Sequence, residues 1–225
     1  MGRVRRVLLV AFLALLVGPF VLVMPLSLVQ PVTTSILLQR AVQRAAEGKR
    51  PIYPVRDVVS RDEISPHLRR AVLAAEDDRF YLHHGFDFAE IEKAIARGRK
   101  GRPLRGASTI SQQTAKNLFL WEGRSWVRKA LEAWITVALE LTLTKDRILD
   151  IYLNLAEWGD GVFGAEAAAR AHFNKSAKDL TRDEAARLAA ILPSPQKWSP
   201  QGGVAARRAR SILARMRYAA PTNDG

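Results

Sequence analysis

The 225-residue sequence contains no cysteine, which excludes disulfide cross-links, thiolate nucleophiles and cysteine-ligated metal sites. Histidine is scarce: His67, His83, His84 and His172 are scattered, and none forms an HExxH-type pattern that would hold a metal on one helix face. Acidic residues are in deficit, with 22 Asp and Glu against 35 Lys and Arg, so the chain carries a formal charge of +13 and calls for a polyanionic neighbour. No segment alternates apolar and polar residues at period two, and no internal repeat or low-complexity block is present. Those absences leave a mainly helical protein whose chemistry rests on carboxylates, hydroxyls, amides and cations.

Charge is also missing from one long stretch. Residues 7–29, VLLVAFLALLVGPFVLVMPLSLV, carry none, and at 1.5 Å per residue such a run can cross a hydrocarbon core of ~30 Å. A cleavable signal would have an apolar core of about 7–15 residues followed by an A-x-A-like site, and neither fits well here. Arg3, Arg5 and Arg6 precede the run, so residues 1–6 are expected in the cytoplasm, 7–29 as a single transmembrane anchor and the rest outside the cytoplasm. With an exported domain, anionic lipid head groups or a phosphorylated lipid become a better match for +13 than nucleic acid.

Residues 30–59 read as a juxtamembrane connector, in which SILLQRAVQRAAEGK is an amphipathic helix broken by PIYP. From about 60 to 220 nearly every segment reads helical. Ser65-Pro66 marks a helix start, Thr109 with Gln112 and Thr181 with Glu184 have capping-box spacing, and Pro193 closes the helix holding EAARLAAIL.

Three stretches stand out chemically. The first is AEDDRFYLHHG, residues 75–85, where Glu76, Asp77 and Asp78 fall at the carboxyl end of the helix that starts at Ser65. The macrodipole disfavours each by roughly 0.3–1 kcal/mol there. They are either a solvated helix end or a place where one carboxylate is held with a raised pKa, ready to accept a proton. The second, RGRKGRPLRGASTISQQTAKN, sets Arg97, Arg99, Lys100, Arg102 and Arg105 among glycines and a proline, then enters a helix at Ser108 and Thr109. Free N–H groups at that start could take a phosphate, with Gln112, Gln113 and Lys116 extending the contact; an ordinary capped loop is the alternative. In the third, WEGRSWVRKALEAWITVALELTLTKDRILDIYLN, the residues Val127, Leu131, Trp134, Ile135 and Ala138 form an apolar face, while Arg128, Glu132, Thr136 and Glu140 share another. Arg128 and Glu132 are either a plain i,i+4 ion pair or, with Arg124 and Lys129, a cationic site holding one carboxylate.

Taken together these stretches resemble the peptidoglycan glycosyltransferases, and among them the monofunctional membrane-anchored biosynthetic transglycosylases. Glu76, Asp77, Phe80, His83 and Gly85 match an E-D-x-x-F-x-x-H-x-G motif; Gly106, Ser108, Thr109, Gln112, Gln113, Lys116 and Asn117 match G-x-S-T-x-x-Q-Q followed by K-N. Arg128, Lys129 and Glu132, with Tyr152, Leu153 and Asn154, match R-K-x-x-E and a later Y-L-N, and WGDGVFG and LPSP also look like family features. Ala107 and Ser111 depart from the glycine and threonine of many members. A penicillin-binding transpeptidase domain, which many relatives carry, is not expected in a chain of this length, and Ser194 to Lys197 spell S-x-x-K without a K-T-G partner.

The resemblance implies a lysozyme-like helical domain with a smaller membrane-associated lobe, located at the bacterial inner membrane with its catalytic domain periplasmic. It implies lipid II and the nascent glycan strand as ligands, membrane lipids as surroundings, cell-wall synthesis proteins as partners, and neither nucleic acid nor a required cofactor. Glu76 is then the general base on the acceptor's 4-hydroxyl, with Asp77, Phe80, His83 and Gly85 supporting it. Ser108, Thr109, Gln112, Gln113, Lys116, Arg124, Arg128 and Lys129 bind substrate; Lys116, Arg124 and Arg128 neutralise the pyrophosphate with Ser108 assisting, and Lys129 either joins them or orients Glu132. Glu132, the second catalytic acid, has three open readings: holding the cations, binding a divalent ion (Mg or Mn), or assisting protonation. A peptidoglycan-cleaving lysozyme-like enzyme would have no use for the phosphate-binding set, and a non-catalytic membrane-anchored scaffold would have none for Glu76 and Glu132. Stem-peptide preference and glycan length leave no trace in the sequence.

Overall fold

The computed structural model describes residues 2–48, 57–99, 108–123 and 125–218. It is mainly helical, as the periodicity predicts. The charge-free run forms α1 (Gly2–Val23), which passes into a single 3-10 turn at Met24–Ser27. The uncharged run continues to residue 29, but the α-helix stops earlier because Pro25 has no N–H to donate into it. Val23 and Leu26 are buried against the domain. Arg147 secures that turn by donating from Nε to the Leu26 carbonyl at 2.7 Å.

The connector contains α2 (Ser35–Ala46), capped by Thr34, whose hydroxyl accepts from the Leu37 N–H. The PIYP break lies outside the described residues. The domain then runs α3 (Pro66–Glu76), α4 (Phe88–Arg99), α5 (Ile110–Phe119), α6 (Trp126–Thr142) and α7 (Lys145–Leu155), followed by α8 (Ala165–Phe173), α9 (Arg182–Ile191) and α10 (Gly203–Arg215). Each expected start is present: Ser65 Oγ accepts from the His67 N–H, and Thr109 and Thr181 form reciprocal capping boxes with Gln112 and Glu184.

Two layers meet in one core. The helix α9 packs between α3 and α10, while α5 lies against α6 and α7. On α9 the alanines at 185, 186, 189 and 190 are fully buried. Their small size lets α3 and α10 approach closely, and Leu68 and Val72 fill the facing side. The α5–α7 side is filled by Ile110, Leu139, Ile148, Leu149 and Ile151. The helix α1 lies along α6, where Phe20 meets Trp134 edge-on at 5.8 Å and the Trp134 indole N–H donates to the Leu15 carbonyl.

Two features differ from sequence expectation. WGDGVFG contains a short hairpin, β1 (Glu157–Gly159) and β2 (Val162–Phe163), turning through Gly161 at φ +78. Five residues are too few for period-two alternation to show. On α6 the polar face is buried along with the apolar one: Glu132 and Thr136 are buried, as are Ile135 and Ala138, and the first turn stands out, with Val127 two-thirds exposed and Trp126 almost wholly so.

Candidate active site

Glu76 ends α3 at the point where the chain turns towards α5. Asp77, the next residue, resolves the electrostatic objection to acids at a helix carboxyl end. Its Oδ2 accepts the Ile110 N–H at 3.0 Å, so the carboxylate sits on the amino end of α5, where the macrodipole favours an anion. Its Oδ1 pairs with His83 Nε2 at 2.9 Å. His83 in turn lies edge-on to the buried Phe80, over whose ring the Lys145 ammonium sits at 4.4 Å. The loop is tied to α5 a second time, because Thr109 Oγ1 donates to the Gly85 carbonyl at 2.7 Å. Gly85 is at φ +85, and a Cβ there would lie 2.7 Å from Thr136 Cγ2. Asp78 is exposed and makes none of these contacts.

Glu76 itself faces away from this scaffold. Gln113 Nε2 donates to its Oε2 at 2.9 Å. Burial pushes the Glu76 carboxyl above the ordinary value, and Asp77 adds to the rise. The Gln113 hydrogen bond and the fields of Arg208 and Arg215 on α10 oppose it. A cleft of about 840 Å³ opens in front, walled by Glu76, Ser108, Gln113, Lys116, Arg128, Lys129, Glu132, Trp198 and Arg208. Behind Glu76 is a smaller recess of about 210 Å³, lined by Asp77, Asp78, Asp87, Glu90, Ser108, Thr109 and Arg215. Glu76 therefore separates a cationic chamber from an acidic one.

The cations come from two helices. Lys116, on α5, is held below its usual pKa by burial, with Arg128 and Lys129 acting in the same direction and Glu132 and Glu122 against it. On α6, Glu132 accepts from Arg128 Nη1 at 2.6 Å through one oxygen and from Lys129 through the other. Ser125 caps α6 by accepting the Arg128 N–H, which fixes where the arginine departs from the backbone.

The sequence-predicted residues thus divide. Glu76, Ser108, Gln113, Lys116, Arg128, Lys129 and Glu132 converge on the large cleft. Gln112 borders it too, but its Oε1 is turned back to accept the Thr109 N–H, and Thr109 is committed to Gly85. Arg124 and most of the basic loop lie outside the described residues; Arg97 and Arg99 belong to α4, with Arg97 reaching Glu90 at 3.4 Å. Ser111, one of the two departures from the family pattern, donates to the Glu140 carboxylate inside the fold.

Sequence reasoning missed two cleft residues and one that lies behind the cleft. Arg208 lies in the run AARRARSILARMR, a basic helix that from sequence suggests only the non-catalytic scaffold or nucleic-acid-binding alternative. Yet its Nε donates to the Ala190 carbonyl at 3.0 Å and its guanidinium lies 5.4 Å from the Trp198 ring centroid. The available signal was the apolar series Ala205, Ala209 and Ile212, which buries one face of α10 and turns Arg208 to its edge. Trp198, the other cleft residue, carries no motif, and Tyr152, buried behind the cleft against Gln113, appears in Y-L-N without an indicated role.

Asp77, His83 and Asp87 bring three potential metal-ligand atoms within 4.8 Å of one another. Asp77 is already engaged by Ile110 and His83, and Asp87 Oδ1 accepts from the Glu90 N–H and from Arg79. Both oxygens of Glu132 carry a cation. In both sets the carboxylates already have partners within the protein.

Comparison with known proteins is in accord with this geometry. A family profile described as Transglycosylase matches residues 46–217. A biosynthetic peptidoglycan transglycosylase of Pseudomonas putida is 51% identical over 200 residues, covering 88% of this chain and 84% of the relative. One from Pseudomonas aeruginosa is 52% identical over 179 residues (80% and 77%), and one from Caulobacter vibrioides is 48% identical over 219 residues (94% and 93%). With the profile spanning most of the sequence and each of these relatives matched over 77% or more of its length, the chain belongs to the transglycosylase family.

Proposed function

We propose that this peptidoglycan glycosyltransferase polymerises lipid II at the outer face of the bacterial inner membrane, held there by α1 as a single-pass anchor. The reading assigns residues 1–6 to the cytoplasm, 7–29 to the anchor and its exit turn, 30–59 to a connector and 60–220 to the catalytic domain. The exposed apolar residues Leu82, Phe88, Trp126 and Val127 support a membrane-associated lobe built from the loop before α4, α4 itself and the start of α6.

The observation that carries the mechanism is the placement of one half-buried carboxylate at the wall of a cationic cleft. Glu76 accepts the proton of the acceptor's 4-hydroxyl as that oxygen attacks the anomeric carbon of the growing chain; the bond to pyrophosphate breaks on the opposite face, so configuration inverts. Lys116, Arg128 and Arg208 face the chamber where negative charge would gather on the departing pyrophosphate. Of the three readings of Glu132, holding the cations agrees with its two ion pairs. Its carboxylate keeps Arg128 and Lys129 together against their mutual repulsion.

Incubating the detergent-solubilised full chain with lipid II and resolving the products by size tests the reading directly. Glycan polymer with release of polyprenyl pyrophosphate is the expected result. Cleavage of preformed peptidoglycan without polymer formation would assign the lysozyme-like alternative.

A further inference from the structure

Gln113 does more than touch Glu76. Its two amide ends face different partners: Nε2 donates to Glu76 Oε2 at 2.9 Å, and Oε1 accepts from the Tyr152 hydroxyl at 3.2 Å. Tyr152 lies on α7, behind α5, and is 2% exposed. Among the described residues its hydroxyl has no other hydrogen bond. This arrangement has a direction. A carboxylate can only accept, so it requires the N–H side of the amide. If the amide turned over, its carbonyl would meet the Glu76 oxygens, and the phenol proton would be left buried without an acceptor. Burial holds the phenol pKa well above its usual value, with Glu76 and Asp77 adding to the rise, so the hydroxyl keeps its proton and remains a donor.

We propose that Tyr152 is a positioning residue for glycosyl transfer: by donating to Gln113 it locks the amide with its N–H towards Glu76, leaving the other carboxylate oxygen free to take the acceptor's proton. The inference rests on Glu76 being the base. It adds a residue that touches no substrate atom, and it gives Gln113 an orienting role beside the substrate contact expected from sequence.

Without the phenol, the amide can rotate and offer its carbonyl to a protonated Glu76. Protonation of the base then becomes easier. The other groups facing Glu76 do not change: Asp77 beside it, Arg208 and Arg215 from α10, Lys116 from α5, and Asp78, Asp87 and Glu90 around the recess. Catalysis requires the carboxylate, so the acidic limb of the turnover profile must move to higher pH.

Tyr152→Phe removes one oxygen and keeps the ring. The expected result is a kcat on lipid II lowered by roughly three- to tenfold at neutral pH, KM within about twofold, and an acidic limb shifted up by about half a pH unit or more. Gln113→Ala removes the intermediary from a half-buried position and should reproduce the shift. Adding Tyr152→Phe to Gln113→Ala should then change nothing further, because the effect travels through the amide. A limb unmoved in both single variants, or full additivity in the double variant, overturns the relay. Glu76→Gln separates the two readings: if that variant polymerises normally the base assignment fails, whereas an inactive Glu76→Gln beside a wild-type profile for Tyr152→Phe removes the relay alone.

Discussion

Replacing Glu76 by Gln exchanges a carboxylate for an amide of the same shape and keeps an oxygen to accept from Gln113 Nε2, now 2.9 Å from Oε2. What disappears is the basic oxygen. General-base catalysis contributes about 10²–10⁴-fold, so turnover on lipid II should fall by at least that lower figure. Lipid II binding should survive, since the cations of α5 and α6 are untouched. Asp78→Asn, on the exposed neighbour, serves as the control and should retain activity. The structure makes a second demand on the same variant. Burial raises the Glu76 pKa in the folded protein, so its charged form is disfavoured by folding. Such a group imposes no penalty below its unfolded pKa, near 4.3, and the full penalty above its higher folded pKa. The neutral amide escapes that penalty. The melting temperature of Glu76→Gln relative to wild type should therefore rise as pH is increased from about 4 through neutrality. Turnover above roughly a tenth of wild type, or a melting difference that shrinks with rising pH, would refute the reasoning.

Arg128→Ala should lower turnover by orders of magnitude and also destabilise, by about 1–3 kcal/mol, because Glu132 is left buried with Lys129 alone. Adding Glu132→Gln should restore the melting temperature without restoring activity. Gly85→Ala, forced to φ +85 and against Thr136, should cost about 1–3 kcal/mol in a thermal melt and loosen the loop tied to Thr109. Protease added to intact spheroplasts should digest the domain beyond α1; complete protection would reverse the proposed orientation.

Much of the helical framework was legible because its signals are local. Ser65-Pro66, the two capping boxes and the period of α9 each specify a helix through contacts within a few residues. The motifs also told which residues to gather, and Glu76, Gln113, Lys116, Arg128 and Glu132 do converge. Orientation was less legible. Whether Arg208 faces solvent or the cleft depends on how α10 lies against α9, and whether the polar face of α6 is buried together with its apolar face depends on the packing of α1 and α5 around it. The role of Asp77 was hidden for a similar reason: the amino end of α5, which welcomes its charge, is 33 residues away in sequence. The hairpin at 157–163 was too short for its period to register.

The junction between α1 and the domain has a practical consequence for anyone trimming the chain. A soluble version that starts at residue 30, where the uncharged run ends, would delete Val23 and Leu26, which belong to the main core cluster, along with Phe20 packed against it. It would also strip the acceptor from Arg147 and leave Trp134 uncovered on the helix that carries Arg128 and Glu132. Shortened versions should therefore begin before Phe20 and accept some exposed apolar surface. Cutting at the hydropathy boundary would yield a protein that dissolves more readily but has a hole beside its catalytic helix.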